Sequence, residues 1–60
     1  MDIRITNEKH HYNGYDPAFK WNVWRREGDA WILIDVGNNL GGLAAYYKAY
    51  PHATVTVLSK

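Results

Sequence analysis

Apolar and polar residues alternate, or apolar residues cluster, in four separate stretches of the chain. Residues 2–6 (Asp-Ile-Arg-Ile-Thr) alternate and are rich in β-branched side chains, which is typical of a half-buried strand. Residues 20–26 and 30–36 are two further strand-like runs, and the polar Glu27-Gly28-Asp29 between them indicates a β-hairpin. Residues 53–58 again contain alternating β-branched side chains. We therefore predict three strands, then a break in the pattern, then a final strand.

The break in the pattern has the period of a helix. Gly37-Asn38-Asn39 supplies a turn and an N-cap, and Pro51 cannot continue a helix, so the helix is expected to end near Tyr50. Between these limits apolar residues recur at helical spacing: Leu40, Leu43, Ala44 and Tyr47. The predicted class is α+β, a small antiparallel-rich sheet of three to four strands with one helix on one face, in the order β-β-β-α-β.

A two-residue turn at Gly28-Asp29 fixes which side chains of the hairpin share a face. Residues that lie opposite each other in an antiparallel pair point to the same side of the sheet. The predicted pairs on one face are Trp21 with Val36, Val23 with Ile34 and Arg25 with Ile32. We expect the helix to cover this apolar face, together with Ile3, Ile5, Val55 and Val57. The other face then carries Asn22, Trp24, Arg26, Trp31, Leu33 and Asp35.

With one helix in the chain, that second face is expected to stay open and to bear the binding site. Trp and Arg are the residues most enriched at the energetic centres of protein interfaces. The candidate protein-binding residues are Trp24, Arg26, Trp31 and Leu33. An alternative remains open: the two Trp rings stack across the strands, and the loop of residues 7–19 folds over them through Tyr12, Tyr15 or Phe19.

The 7–19 loop contains its own turn signal, because Asn13-Gly14 is typical of a tight hairpin turn. Strict pairing from that turn would place Ile5 opposite Asn22 and Ile3 opposite Trp24, and both isoleucines would then lie on the wrong face. We therefore expect the register to break, most naturally at Asp16-Pro17-Ala18, since proline disrupts a ladder.

Length, composition and charge narrow the function. Sixty residues make one small domain, 1–60, and the absence of cysteine removes thiol catalysis and zinc or iron–sulfur ligation by cysteine. The net charge of +1 gives no broad field for wrapping duplex DNA or binding a membrane surface. No signal-peptide pattern opens the chain, so the expected compartment is the cytoplasm and no membrane partner is expected.

The sequence contains few residues that indicate a catalytic, metal-binding or cofactor-binding site. His10, His11 and Asp16 are the one cluster of metal-ligand types, and adjacent histidines of a strand point to opposite faces, which favours a solvated loop. Residues 37–42 are rich in glycine but lack the Lys-Ser/Thr of a phosphate-binding loop. The only serine, Ser59, lies next to the C-terminus. We therefore expect no enzyme, no metal and no cofactor.

The sequence favours a non-enzymatic protein-binding module that acts through the open aromatic face, through an exposed strand edge, or through both. The order of elements resembles in outline small phage-encoded inhibitors of host enzymes and the sheet-based DNA-binding arms of some recombinases. The first resemblance implies a short viral-type inhibitor or modulator that occupies a site on a larger host protein. Homodimerisation is a special case, and a nucleic-acid-binding sheet is the alternative, with Trp and Tyr rings stacking on bases and Arg and Lys contacting phosphates.

Overall fold

The computed structural model describes residues 1–59, which form a four-stranded sheet and one α-helix. The strands are β1 (Asp2–Thr6), β2 (Trp21–Glu27), β3 (Ala30–Gly37) and β4 (Thr54–Leu58), and a short 3-10 helix (Glu8–His10) follows β1. The helix, α1 (Leu40–Lys48), begins at the predicted residue and is capped by Asn39, whose side chain accepts a hydrogen bond from the Gly42 amide at 3.1 Å. These elements confirm the α+β class and the order β-β-β-α-β.

The sheet is mixed, with strand order β3-β2-β1-β4. β1 lies between β2 and β4, so that Ile3 pairs with Arg25 on its antiparallel side and with Val55 on its parallel side. The chain leaves the sheet at edge strand β3 and returns, through α1, to the opposite edge. This crossover places α1 over one face of the sheet, and its main contacts are with β1 and β4. At nine residues α1 is far shorter than a bilayer is thick, and no helix within residues 1–59 could span a membrane.

The core lies between α1 and the face of the sheet that carries Ile3 and Ile5. Its buried members are Ile3, Ile5, Trp21, Val23 and Tyr47, with Leu40, Leu43, Ala44, Ala53, Val55 and Val57 packed around them. The expectation that α1 also covers Ile32 and Ile34 is wrong, because these side chains remain 45% and 40% exposed. The reason is the strand order: α1 packs over β1 and β4, and β3 lies at the far edge.

A β-bulge in β3 changes the predicted faces of the hairpin. The turn at Gly28-Asp29 and the Arg25–Ile32 pair are as predicted, but Trp24 pairs with Leu33 while Val23 pairs with Asp35. Ile34 is therefore an extra residue without a partner, and the alternation shifts by one beyond it. The predicted pairs Val23–Ile34 and Trp21–Val36 are wrong for this reason.

The shift exchanges the faces of two side chains. Val36 pairs with Asn22 on the face away from the helix, whereas it was expected beneath the helix. Asp35 was expected on the open face and instead points toward α1, where the Tyr47 hydroxyl donates a hydrogen bond to its carboxylate at 2.9 Å. Burial, reinforced by this hydrogen bond and by the Asp35 charge, raises the pKa of Tyr47 well above its usual range.

The register between β1 and β2 breaks as predicted. Ile5 lies opposite Val23, not Asn22, so both isoleucines of β1 enter the helix-side core. The chain turns at Asn13-Gly14, where Gly14 has a φ of +87°, but the strands do not extend to this turn. A second turn follows at Pro17-Ala18, beside the position where we expected the break.

Candidate functional site

Trp24 lies on the sheet face opposite α1, but it is fully buried. The Tyr12 ring from the 7–19 loop packs edge-on against it, with ring centroids 5.3 Å apart. The indole Nε1 donates a hydrogen bond to the Thr6 hydroxyl at 2.8 Å. The expectation that Trp24 is exposed on an open face is therefore wrong, because the loop covers it in the way the alternative interpretation describes.

A chain of hydrogen bonds holds the loop over Trp24. Because the Thr6 Oγ1 accepts a hydrogen bond from Trp24, its own proton is free to be donated to His11 Nδ1, which lies 2.8 Å away. This arrangement needs a neutral His11, since a protonated ring would present a second donor to the same hydroxyl. Burial, with a smaller contribution from His10, lowers the pKa of His11 and favours that neutral form.

Asn22 fixes the second half of the loop. Its side chain is fully buried beside Trp24 in β2, where its Oδ1 accepts from the Asp16 amide at 2.6 Å and its Nδ2 donates to the Asp16 carbonyl at 3.2 Å. A buried side-chain amide that bonds both backbone groups of one loop residue replaces the missing ladder at that point. Both halves of the covering loop are thus anchored to the sheet by hydrogen bonds.

The 7–19 loop covers this face of the sheet only as far as Trp31, which is half-buried. Its ring lies nearly parallel to Tyr12, with centroids 5.5 Å apart and planes inclined by 10°. Two guanidinium groups approach the same ring: the Arg4 Cζ lies 4.4 Å from its centroid and the Arg26 Cζ 5.9 Å. Both distances fall within the range of cation–π attraction. Trp31 is therefore the centre of an aromatic and cationic cluster at the margin of the sheet.

Among the residues that the structure describes, no strand lies beside the outer edge of β3, and both of its faces are apolar. Trp31 and Leu33 are half-buried on the loop side, whereas Ile32 and Ile34 are exposed. A two-residue turn makes Glu27 and Ala30 the closing hydrogen-bonded pair, and antiparallel pairs alternate between bonded and non-bonded. Trp31 and Leu33 therefore lie in non-bonded pairs with β2. Their backbone N–H and C=O groups point away from β2, toward the open edge of the sheet.

The turn that positions this edge is tight. Gly28 adopts a φ of +61° and Asp29 a negative φ, which is the pattern of a type II′ turn with glycine at its first central position. Arg26 donates from its Nε to the Gly28 carbonyl at 2.9 Å, so its side chain bends back over the turn. β3 is therefore held firmly to β2 up to the bulge.

Of the predicted site residues, the structure brings Trp31, Leu33 and Arg26 together at the margin of the loop-side face, with Trp24 buried beneath them. Sequence reasoning missed Ile32 and Ile34 as exposed residues, because it placed them under the helix. It named Arg4 only as a phosphate contact of the nucleic-acid alternative and not in the protein-binding site, although the alternation of Arg4 with Ile3 and Ile5 already assigns it to the face opposite the helix.

Other chemistry is not assembled in the part of the chain that the structure describes. His11 stacks on Tyr15 with centroids 4.8 Å apart, and Asp16 is bonded to Asn22. Within residues 1–59 no group of three metal-ligating side chains comes together, and no cavity is found. Comparisons with protein families, with characterised proteins and with solved structures give no match.

Proposed function

We propose that this protein is a non-enzymatic binding module whose edge strand β3 accepts an extended strand from a larger protein. The observation that carries the proposal is the exposure of Ile32 and Ile34, at 45% and 40%, on a strand whose outer edge is unpaired. Native proteins usually protect such edges with charges, proline or a covering segment, and an unprotected apolar edge is a template for pairing.

Strand addition uses the two kinds of group that β3 presents. The outward backbone groups of Trp31 and Leu33 supply hydrogen bonds, which provide affinity for any extended chain. The side chains on the two faces of β3 supply contacts that depend on the sequence of the added strand. Trp31, Leu33 and Arg26 keep the protein-binding role that the sequence suggests, and Trp24 contributes by holding the hairpin rigid.

The proposal includes the hypothesis that the chain is an inhibitor, which occupies a site on a larger host protein in the cytoplasm. A second copy of the chain pairing through β3 is the homodimeric form of the same interaction. Nucleic acid is the competing partner class, because arginines beside an aromatic ring are also found in single-strand binding proteins.

A photo-crosslinking amino acid placed at position 32 tests the proposal in native cells. The matched control is Thr56, an exposed residue on the opposite edge strand β4. We expect position 32 to capture one protein and position 56 not to capture it. Identical capture from both positions contradicts the proposal, and capture of the chain itself identifies the homodimer.

Ile32→Lys is the corresponding loss-of-binding variant. We expect its free energy of unfolding to fall by about 1 kcal/mol, since the side chain is partly exposed but lies opposite Arg25, while binding of the captured protein falls at least about tenfold. Urea denaturation checks the first expectation and a binding titration the second. Thr56→Lys serves as the control, and equal loss of binding in both variants contradicts a role for β3.

A further inference from the structure

We propose that the strand accepted by β3 is acidic: it carries Glu or Asp at alternate positions that face Arg4 and Arg26, and β-branched residues between them. This inference rests on the proposed function and specifies the partner. Its source is the charge distribution around Trp31, which is separate from the exposure of Ile32 and Ile34.

Two like charges converge on one ring without an ionic partner. Arg4 donates a hydrogen bond to the Tyr12 hydroxyl and Arg26 donates one to the Gly28 carbonyl, both of which are neutral acceptors. Within residues 1–59 neither guanidinium takes part in an ion pair. Each Arg has five N–H donors in a planar fork, so most of this capacity stays available for a carboxylate.

Glu27 and Asp35 of the hairpin do not supply that carboxylate. Glu27 is paired with Arg25, at 3.2 Å, on the other face of the sheet. Asp35 is held by Tyr47 and by the Val36 amide at 2.8 Å on the helix side. Asp2 shares the face of Arg4 in β1, but it forms no ion pair within the described chain. Asp29, in the turn, likewise forms no ion pair, so the guanidinium groups of Arg4 and Arg26 have no carboxylate partner within residues 1–59.

Strand geometry brings a carboxylate of an added strand to this place. Side chains of an extended strand alternate between the two faces of the sheet, and neighbouring strands lie about 4.8 Å apart. Side chains of the added strand on the loop side would lie beside Trp31, whose ring is within 5.9 Å of the Arg26 Cζ. Those on the helix side would lie beside Ile32, where β-branched or aliphatic side chains bury apolar surface.

The same cluster fits a protein strand better than a nucleobase. Tyr12 already stacks on Trp31 and the Arg4 guanidinium lies over the same ring, so the indole has less free surface for a base. The outward backbone groups of Trp31 and Leu33 match the donors and acceptors of a peptide. A nucleic acid would use the arginines but leave these groups and Ile32 without a partner.

Selection from a phage-displayed library of random octapeptides against the full chain tests the inference without a known partner. We expect enriched peptides to carry Asp or Glu at alternate positions. For a synthetic enriched peptide, replacing its acidic residues by Gln is expected to weaken binding about tenfold, which corresponds to about 1.4 kcal/mol. Arg26→Gln should remove this difference. Arg25→Gln should retain it, because Arg25 lies on the other face. Asp2→Asn should tighten binding of the acidic peptide.

The outcomes separate the two proposals. Enriched peptides that lack acidic residues, yet lose binding in Ile32→Lys, overturn the acidic strand and leave strand addition standing. Enriched peptides that bind Ile32→Lys as well as the parent, or no enrichment at all, overturn both. Binding of a single-stranded oligonucleotide that depends on Arg26 and is not displaced by the acidic peptide overturns the acidic strand in favour of nucleic acid.

Discussion

Strands β2 and β3 form one hairpin, yet the more apolar of the two is the more exposed. β3 has six apolar residues of eight and no fully buried residue, whereas β2 has three apolar residues of seven and buries Trp21, Asn22, Val23 and Trp24. β2 has a strand on each side, the core on one face and the 7–19 loop on the other. β3 has a strand on one side only. Position in the sheet, more than side-chain type, decides burial in this hairpin.

The difference also separates structural from functional roles along the hairpin. The same aromatic residue type is fully buried at Trp24 and only half-buried at Trp31, although both lie on one face. We assign stability to β2 and recognition to β3, and the following variants test that division.

The largest expected effect is the difference in the free energy of unfolding between the Trp24→Ala and Trp31→Ala variants. Trp24→Ala removes a fully buried ring and its hydrogen bond to Thr6, and we expect it to lower the free energy of unfolding by about 3–5 kcal/mol. Trp31→Ala removes a half-buried ring and should lower the free energy of unfolding by about 1–2 kcal/mol. Urea denaturation of both variants measures the difference, and equal losses would remove the distinction between the strands.

A smaller loss is expected at Asn22, the polar member of the buried part of β2. Asn22→Ala removes both hydrogen bonds to Asp16, and we expect a loss of about 1–3 kcal/mol. Hydrogen exchange of the Asp16 amide should accelerate while exchange in β4 stays close to the parent's. The control is Thr56→Ala at an exposed position of β4, which should leave Asp16 exchange unchanged. Unchanged exchange at Asp16 in Asn22→Ala would show that the loop is held by other contacts.

The smallest expected effect is a dependence on pH through His11. Because burial lowers its pKa in the folded chain, the unfolded chain, with an ordinary His pKa of about 6.5, binds the proton more readily. The free energy of unfolding should therefore decrease as pH falls from about 6.5 toward the lower folded value, and be constant just above that range. His11→Gln should remove this slope in urea denaturation at a series of pH values. An unchanged slope in His11→Gln would assign the dependence to other groups.

The sequence was sufficient for those features that depend on local chemistry. β-branched alternation located β1 and β4, the two runs on either side of Glu27-Gly28-Asp29 located the β2–β3 hairpin, and Asn39 marked the helix start. The mismatch between the Asn13-Gly14 turn and the positions of Ile3 and Ile5 was enough to predict a break in register.

Features that depend on relative placement could not be read from the residues. Nothing in the run from Ala30 to Gly37 marks Ile34 as an extra residue, because each side chain there suits either face. The position of β4 beside β1 decided where the helix packs, and hence that Ile32 stays exposed. Tyr12 was one of three aromatics able to cover Trp24, and only the path of the loop selects among them.

The parallel pairing of β1 with β4 also constrains how the chain reaches its native state. Ile3 and Val55 pair although most of the 60 residues lie between them, so this contact closes a long loop. The β2–β3 hairpin can form early from neighbouring residues, whereas β1 gains its second neighbour only after the last strand has left the ribosome. We therefore expect docking of β4 to limit the folding rate, as for other topologies dominated by contacts distant in sequence.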